Sequence, residues 1–210
     1  MLYYVSDLLF IIVVLITAYY ISRRGMVNAA VLFIAMLIAS LLAITTFEPV
    51  ANWISRTYLV ATDFRVASWI YIVSVSAIFS SALALQMWCI HLILPEAPVM
   101  SQRMESIGAR VLGVLGGYLF ASFLLTALLT SPAPREFWGT FAPEAHRRPG
   151  PIMACAPDYQ FLALTEYTCE HAFALTGGSW GLGRPVISAE TTGGRWSTFP
   201  IRYSRFRENP

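Results

Sequence analysis

LLFIIVVLITAYYISRRGMVNAAVLFIAMLIASLLAITTF, residues 8–47, decides the fold. Two apolar runs, Leu8 to Ser22 and Met26 to Phe47, flank Arg23-Arg24-Gly25, and neither run contains a charge or a proline. A membrane-spanning helix needs roughly 20 predominantly apolar residues. The second run meets that length alone. The first has about 15 residues between Asp7 and Arg23 and spans by borrowing Leu2 to Ser6, which leaves Asp7 at the interface. Working outward, two more runs follow at Val66 to Pro95 and Val111 to Ala133. The third is about 30 residues long, enough to tilt or to run past the membrane before Pro95 and Pro98 stop it.

Composition requires the same solution. A chain of 210 residues that is 57% hydrophobic and only 12% charged cannot hide its apolar surface inside one globule, so lipid must cover the remainder. All 14 cationic residues are arginine, and the formal net charge is +2. That charge is too small and too scattered for a nucleic-acid face or a polybasic lipid-binding cluster. The first residues lack the basic region of a cleaved signal peptide and carry Asp7 instead, so the first run reads as a retained span.

The charged residues also set the connections. Arg23-Arg24-Gly25 reads as a tight turn, and Glu48 to Arg65 as a longer loop with Trp53, Tyr58 and Trp69 at the interface. Glu96 to Arg110, with Arg103 and Glu105 among apolar residues, suits a segment lying on the membrane surface. The expected division is a four-helix transmembrane domain over residues 1–130, a Pro-rich extended linker over 131–157 and a small water-exposed tail over 158–210. Within that tail Asp158 is placed to cap one short helix ending before Gly177-Gly178. The fold class is therefore all-α: a bundle of four transmembrane helices with an irregular C-terminal tail.

Short-loop charge gives the orientation. Arg23 and Arg24 have no acidic neighbour in their turn, which places the turn in the cytoplasm and both ends of the four-span unit outside. If the tail lies there, Cys155 and Cys169 are expected to pair as a disulfide closing a loop of about 15 residues, worth roughly 3 kcal/mol on the chain-entropy model. Cys89, in an apolar run, reads as a small core hydrophobe.

Chemistry-bearing patterns are few. Small residues recur four apart as Ala35, Ala39 and Ala43, and as Gly113, Gly117 and Ala121, the spacing that lets helix backbones approach closely in lipid. Such a ridge packs within one chain or between copies. Ser74, Ser76, Ser80 and Ser81 can bond across helices or back to their own carbonyls. Asp7 has two readings: a membrane carboxylate with a functional role, or an acid that favours a helix N-terminus. His91 and Cys89 leave their helix on different faces and make a poor metal pair. Gly177-Gly178-Ser179-Trp180-Gly181 matches the nucleophile-elbow pattern but lacks the strand and sheet that make it catalytic, so it reads as a turn. No catalytic, cofactor-binding or metal-binding residues are expected, and no enzyme activity.

Asp7 before the first span, Arg24-Gly25 in the first turn, and Arg110-Val-Leu-Gly113-Val-Leu-Gly-Gly117 opening the last span together resemble the colicin V production protein (CvpA) family over residues 5 to 130. Ala109 stands where members often have Asp, and Ala121 preserves the small face. The resemblance implies a multi-pass inner-membrane protein linked to colicin V (toxin) production or secretion and to envelope homeostasis. It implies no established reaction. The Pro-rich segment and the Asp158-Tyr-Gln-Phe161-Leu162 tail resemble extensions of planctomycete relatives. Two roles are compatible with the residues: a non-enzymatic membrane anchor or assembly factor, or a transporter or channel component acting as an oligomer. The expected partners are the lipid bilayer, further copies of the chain or other envelope proteins.

Overall fold

The computed structural model describes residues 4–58, 64–93, 102–131, 139–142 and 148–172. Four long helices, α1 (Val5–Ser22), α2 (Met26–Tyr58), α3 (Phe64–Ile93) and α4 (Gln102–Leu129), are each long and apolar enough to cross a membrane. Two shorter ones follow, α5 (Pro151–Ala154) and α6 (Pro157–Ala172). No strand occurs among the described residues.

α1 and α2 join through Gly25, whose φ of +79° lies in the left-handed region that costs a residue with a Cβ dearly. Its carbonyl then accepts the Ala29 N–H at 2.9 Å and opens α2. One glycine thus ends one span and begins the next. Arg23 and Arg24 are exposed at this turn.

α1 packs antiparallel against α4, with Ala18 opposite Gly113 and Val14 opposite Gly117. α2 runs parallel to α4, with Met26 beside Gly108 and Phe33 beside Gly116. α3 returns antiparallel to α2, where Phe47 meets Tyr71 edge-on, 6.5 Å between ring centroids. Ala35, Ala39 and Ala43 are buried on α2, and Phe79 of α3 stacks on Phe123 of α4 at 4.5 Å. Of the α3 serines, Ser81 bonds back to the Ile78 carbonyl, Ser74 is buried, and Ser76 and Ser80 face outward.

Exposed aromatic residues mark two belts. Tyr19, Tyr20 and Trp88 ring the bundle on the side of the Arg23-Arg24 turn, and Tyr4 and Trp69 ring the opposite side. Tyr4 to Tyr19 is 15 residues, about 23 Å of helix, and Trp69 to Trp88 is 19 residues, about 29 Å. Both fit a hydrocarbon core of roughly 30 Å.

Four expectations from sequence are corrected. Glu48 and Pro49 lie within α2, which continues to Tyr58 instead of ending in a loop at Phe47. Residues 102–110 continue α4 as its first turns, because no proline or glycine pair interrupts the apolar period there, so they are no separate surface segment. Cys89 is exposed on the outer face of α3 rather than in the core. The described parts of the segment read as linker and water-exposed tail, residues 139–142 and 148–172, pack on the bundle: Phe141, Phe161 and Leu162 share one buried cluster with Phe47, Val75, Phe79, Phe123 and Leu129. The reason is that four spans leave an apolar face of α4 uncovered, and the tail's aromatic residues fill it.

Candidate functional site

The chemistry-bearing residues of the resemblance lie on the α1–α4 pair. Gly113 and Gly117 face the backbone of α1 so closely that an added Cβ would stand 2.7 Å from the Ala18 carbonyl oxygen and 2.5 Å from that of Val14. Only glycine permits that approach, which brings the two backbones within dispersion and weak Cα–H···O range. Ala121, one turn on, is buried against Phe10. Arg24 and Gly25 sit at one end of this pair, where an added Cβ on Gly25 would meet the Glu105 carboxylate at 2.8 Å. Arg110 is exposed on α4 near the same end. Asp7 sits at the other end of α1, 17 residues from Arg24, about 25 Å of helix, so the two do not share a site.

Asp7 is the third residue of α1, in its first turn, and is 5% exposed. Its carboxylate accepts two backbone N–H bonds from α5, Ile152 N–H to Oδ2 at 3.2 Å and Met153 N–H to Oδ1 at 3.0 Å. This one side chain satisfies the free donors of a helical first turn 145 residues away. Pro151, at the first position of α5, has no N–H to satisfy, and the Ala154 N–H bonds to the Gly150 carbonyl at 3.1 Å. The first turn of α5 therefore has every donor met without water.

Gly150 is dictated twice. Its φ of +78° with ψ of 160° belongs to the region open essentially to glycine alone, and a Cβ there would overlap the Asp7 carboxylate.

Next to this junction lies a second buried polar group. Arg148 binds Asp158 bidentately, Nη1 to Oδ1 at 2.5 Å and Nη2 to Oδ2 at 3.1 Å, with both side chains 1% exposed. Its Nε donates to the Ala142 carbonyl at 3.0 Å, and its guanidinium stacks over Tyr159 at 4.7 Å. The fork geometry of arginine is what satisfies both carboxylate oxygens and the carbonyl at once. Asp158 is thus the partner of a charge rather than a helix cap.

The anticipated Cys155–Cys169 disulfide is not formed. Cys155 is a free thiol whose Sγ donates to the Pro151 carbonyl at 3.3 Å. Cys155 lies just before α6 and Cys169 three turns along it, and a rise of about 1.5 Å per residue holds their backbones some 20 Å apart, far beyond the roughly 7 Å a disulfide tolerates. The Cys169 side chain and the Gly177–Gly181 segment lie outside the described residues.

Sequence reasoning found Asp7 and the glycine ridge, gave Asp158 the role of a cap, and missed Arg148, Gly150 and Gln160. A signal existed in Gly150-Pro151 and Ala156-Pro157, each a positive-φ residue followed by a proline at the first position of a helix.

Comparison with known proteins agrees with this layout. The family model described as colicin V production protein matches residues 6–143, which takes in all four spans and Asp7 and stops short of α5 and α6. No curated protein and no solved structure gives a match. A match over about two thirds of the chain, coinciding with the four-span bundle, makes this protein a member of the colicin V production protein family.

Proposed function

We propose that this protein is a non-enzymatic inner-membrane anchor or assembly factor, linked to colicin V production or secretion and to envelope homeostasis. The observation that carries this reading is the use made of Asp7. A carboxylate within the aromatic belts is a functional candidate by default, yet this one holds two backbone donors of α5. The charged pair beside it, Arg148 and Asp158, is closed on itself in the same way. Polar groups spent on architecture support a scaffold over a catalyst or an ion relay.

In this reading the Arg23-Arg24 turn is cytoplasmic, and the start of α1 with the region after α4 is periplasmic, following the excess of arginine in the short turn. The partners are lipid and other envelope proteins, with no role for nucleic acid. A second reading, a transporter or channel component, draws on Ser76 and Ser80, which face outward on α3 and would be gathered into a shared lining by oligomerisation. Chemical crosslinking in intact membranes followed by affinity capture tests the two. The anchor reading expects stable heterologous envelope partners, whereas a lone homo-oligomer joined through α3 supports the second reading.

A further inference from the structure

We propose that residues 148–172 form a re-entrant element seated inside the membrane, and that the exposed Ala163, Leu164 and Tyr167 of α6 are covered by lipid acyl chains. The inference does not depend on which side of the membrane is periplasmic.

Depth is the first argument. Phe10 lies six residues along α1 from the belt residue Tyr4, about 9 Å inward, and nine residues from Tyr19 in the other belt, about 14 Å. Phe10 is therefore near the middle of the hydrocarbon. Met153 of α5 packs in the same buried cluster as Phe10 and Ala121. The Phe10 ring also meets Tyr118 edge-on at 5.7 Å, and the Tyr118 hydroxyl donates to Gln160 Oε1 at 2.7 Å. Phe161 meets Phe123 at 5.9 Å. Elements that touch mid-span residues of α1 and α4 cannot stand in water above the membrane.

Polar satisfaction is the second argument, and it is independent. Irregular backbone is tolerated at membrane depth only where protein meets its hydrogen bonds. Here the α5 donors go to Asp7 and Gly150, and the Cys155 and Ala156 N–H groups bond to Ile152 and Met153 carbonyls at 3.0 and 2.9 Å. Gln160 is exposed, yet both ends of its amide are used internally, Oε1 by Tyr118 and Nε2 by donation to the Cys155 carbonyl at 2.9 Å. Thr165 and Thr168 bond back to Phe161 and Leu164 carbonyls, and the Cys155 thiol to Pro151. An element bathed in water has no need to turn its exposed amide and thiol inward.

Continuity is the third. α6 packs on α4 through Tyr118–Gln160 and Phe123–Phe161, and α4 also carries exposed apolar residues such as Leu115 and Leu128. Acyl chains covering those also reach Leu164.

The test is spin-label depth measurement on the full chain in phosphatidylcholine vesicles. Nitroxides are placed on native Cys155, with Cys89→Ala and Cys169→Ala, and separately on Leu164→Cys and Tyr167→Cys with all three native cysteines replaced by alanine. Leu115→Cys on α4 serves as the lipid reference, and Arg23→Cys, exposed in the turn between α1 and α2, as the water reference. Collision with oxygen relative to a water-soluble nickel chelate should be close to the Leu115 value at Cys155 and Leu164, and several-fold above the Arg23 value. Because Cys155 needs no substitution at its own position, a folding defect at Leu164 or Tyr167 does not blur the result. An Arg23-like ratio at Cys155 or at Leu164 overturns the proposal.

Discussion

Replacing Asp7 by alanine should undock α5 and the start of α6 while leaving the four spans assembled. The substitution removes two hydrogen bonds from backbone donors to a carboxylate, those of Ile152 and Met153. Bonds to a charged partner contribute about 1.5–3 kcal/mol each, and orphaned donors in a dry site cost a similar amount, so the lower bound for the pair is about 3 kcal/mol. The loss is local, since the glycine ridge of α4 and the α2–α3 packing do not involve Asp7. Hydrogen exchange in detergent or nanodiscs reads it directly. A loss of about 3 kcal/mol in local opening energy accelerates exchange of the amides in residues 152–165 by roughly 150-fold, with amides of α2 unchanged. Asp7→Asn, which keeps one carbonyl oxygen, should fall between. Protection within about threefold of wild type in Asp7→Ala would refute the account of Asp7 as the socket for α5.

Other substitutions test neighbouring parts of the argument. Gly117→Ala and Gly113→Ala should each destabilise α1–α4 packing by about 1–3 kcal/mol, with Gly117 worse because its Cβ would sit closer to α1 backbone; melting in detergent measures both. Arg148→Met or Asp158→Leu alone should cost about 3–5 kcal/mol by stranding a buried charge, whereas the double variant should recover most of that loss in the same melt. Gly150→Ala should be costly beside Asp7, and its cost should shrink in an Asp7→Ala background, leaving only about 1–3 kcal/mol of backbone strain.

The spans were legible because their signal is local. A run such as Leu8 to Ser22 says what it is without reference to any other segment, and the four-residue spacing of Gly113 and Gly117 belongs to one helix face. Asp7 illustrates the opposite case. Its type and place just before an apolar run marked it, but its partners are backbone N–H groups 145 residues distant, and a backbone donor leaves no trace in side-chain identity. The Arg148–Asp158 pair escaped for a different reason. Each residue has an ordinary surface role available, as an exposed cation and as a cap, and only the fold, which stacks Arg148 on Tyr159 and buries Asp158, turns them into partners. The disulfide expectation failed on geometry that the sequence itself contained: a helix running from Pro157 to Ala172 carries Cys169 far from Cys155 at its start.

The dependence of Asp7 on α5 yields a change of sign. In the whole chain Asp7 is 5% exposed and holds two donors, so Asp7→Leu loses bonds and should be destabilising. Removing residues 132–210 takes away Ile152, Met153 and the Gly150 turn, and leaves the same carboxylate at membrane depth with no donor. An acid near the bilayer core then opposes the span, by up to about 2.5–3.5 kcal/mol at a helix centre and less toward the end where Asp7 lies. In the shortened chain Asp7→Leu should therefore raise the melting temperature, while in the full chain it should lower it. The four-span region retains the α1–α4 ridge and the Phe79–Phe123 stack, which supply packing for the comparison. The measurement is a four-way thermal melt of full and shortened chains, each with Asp or Leu at position 7. Stabilisation by leucine in both lengths would mean that α5 does not hold the carboxylate, and destabilisation in both would mean that Asp7 serves the spans themselves.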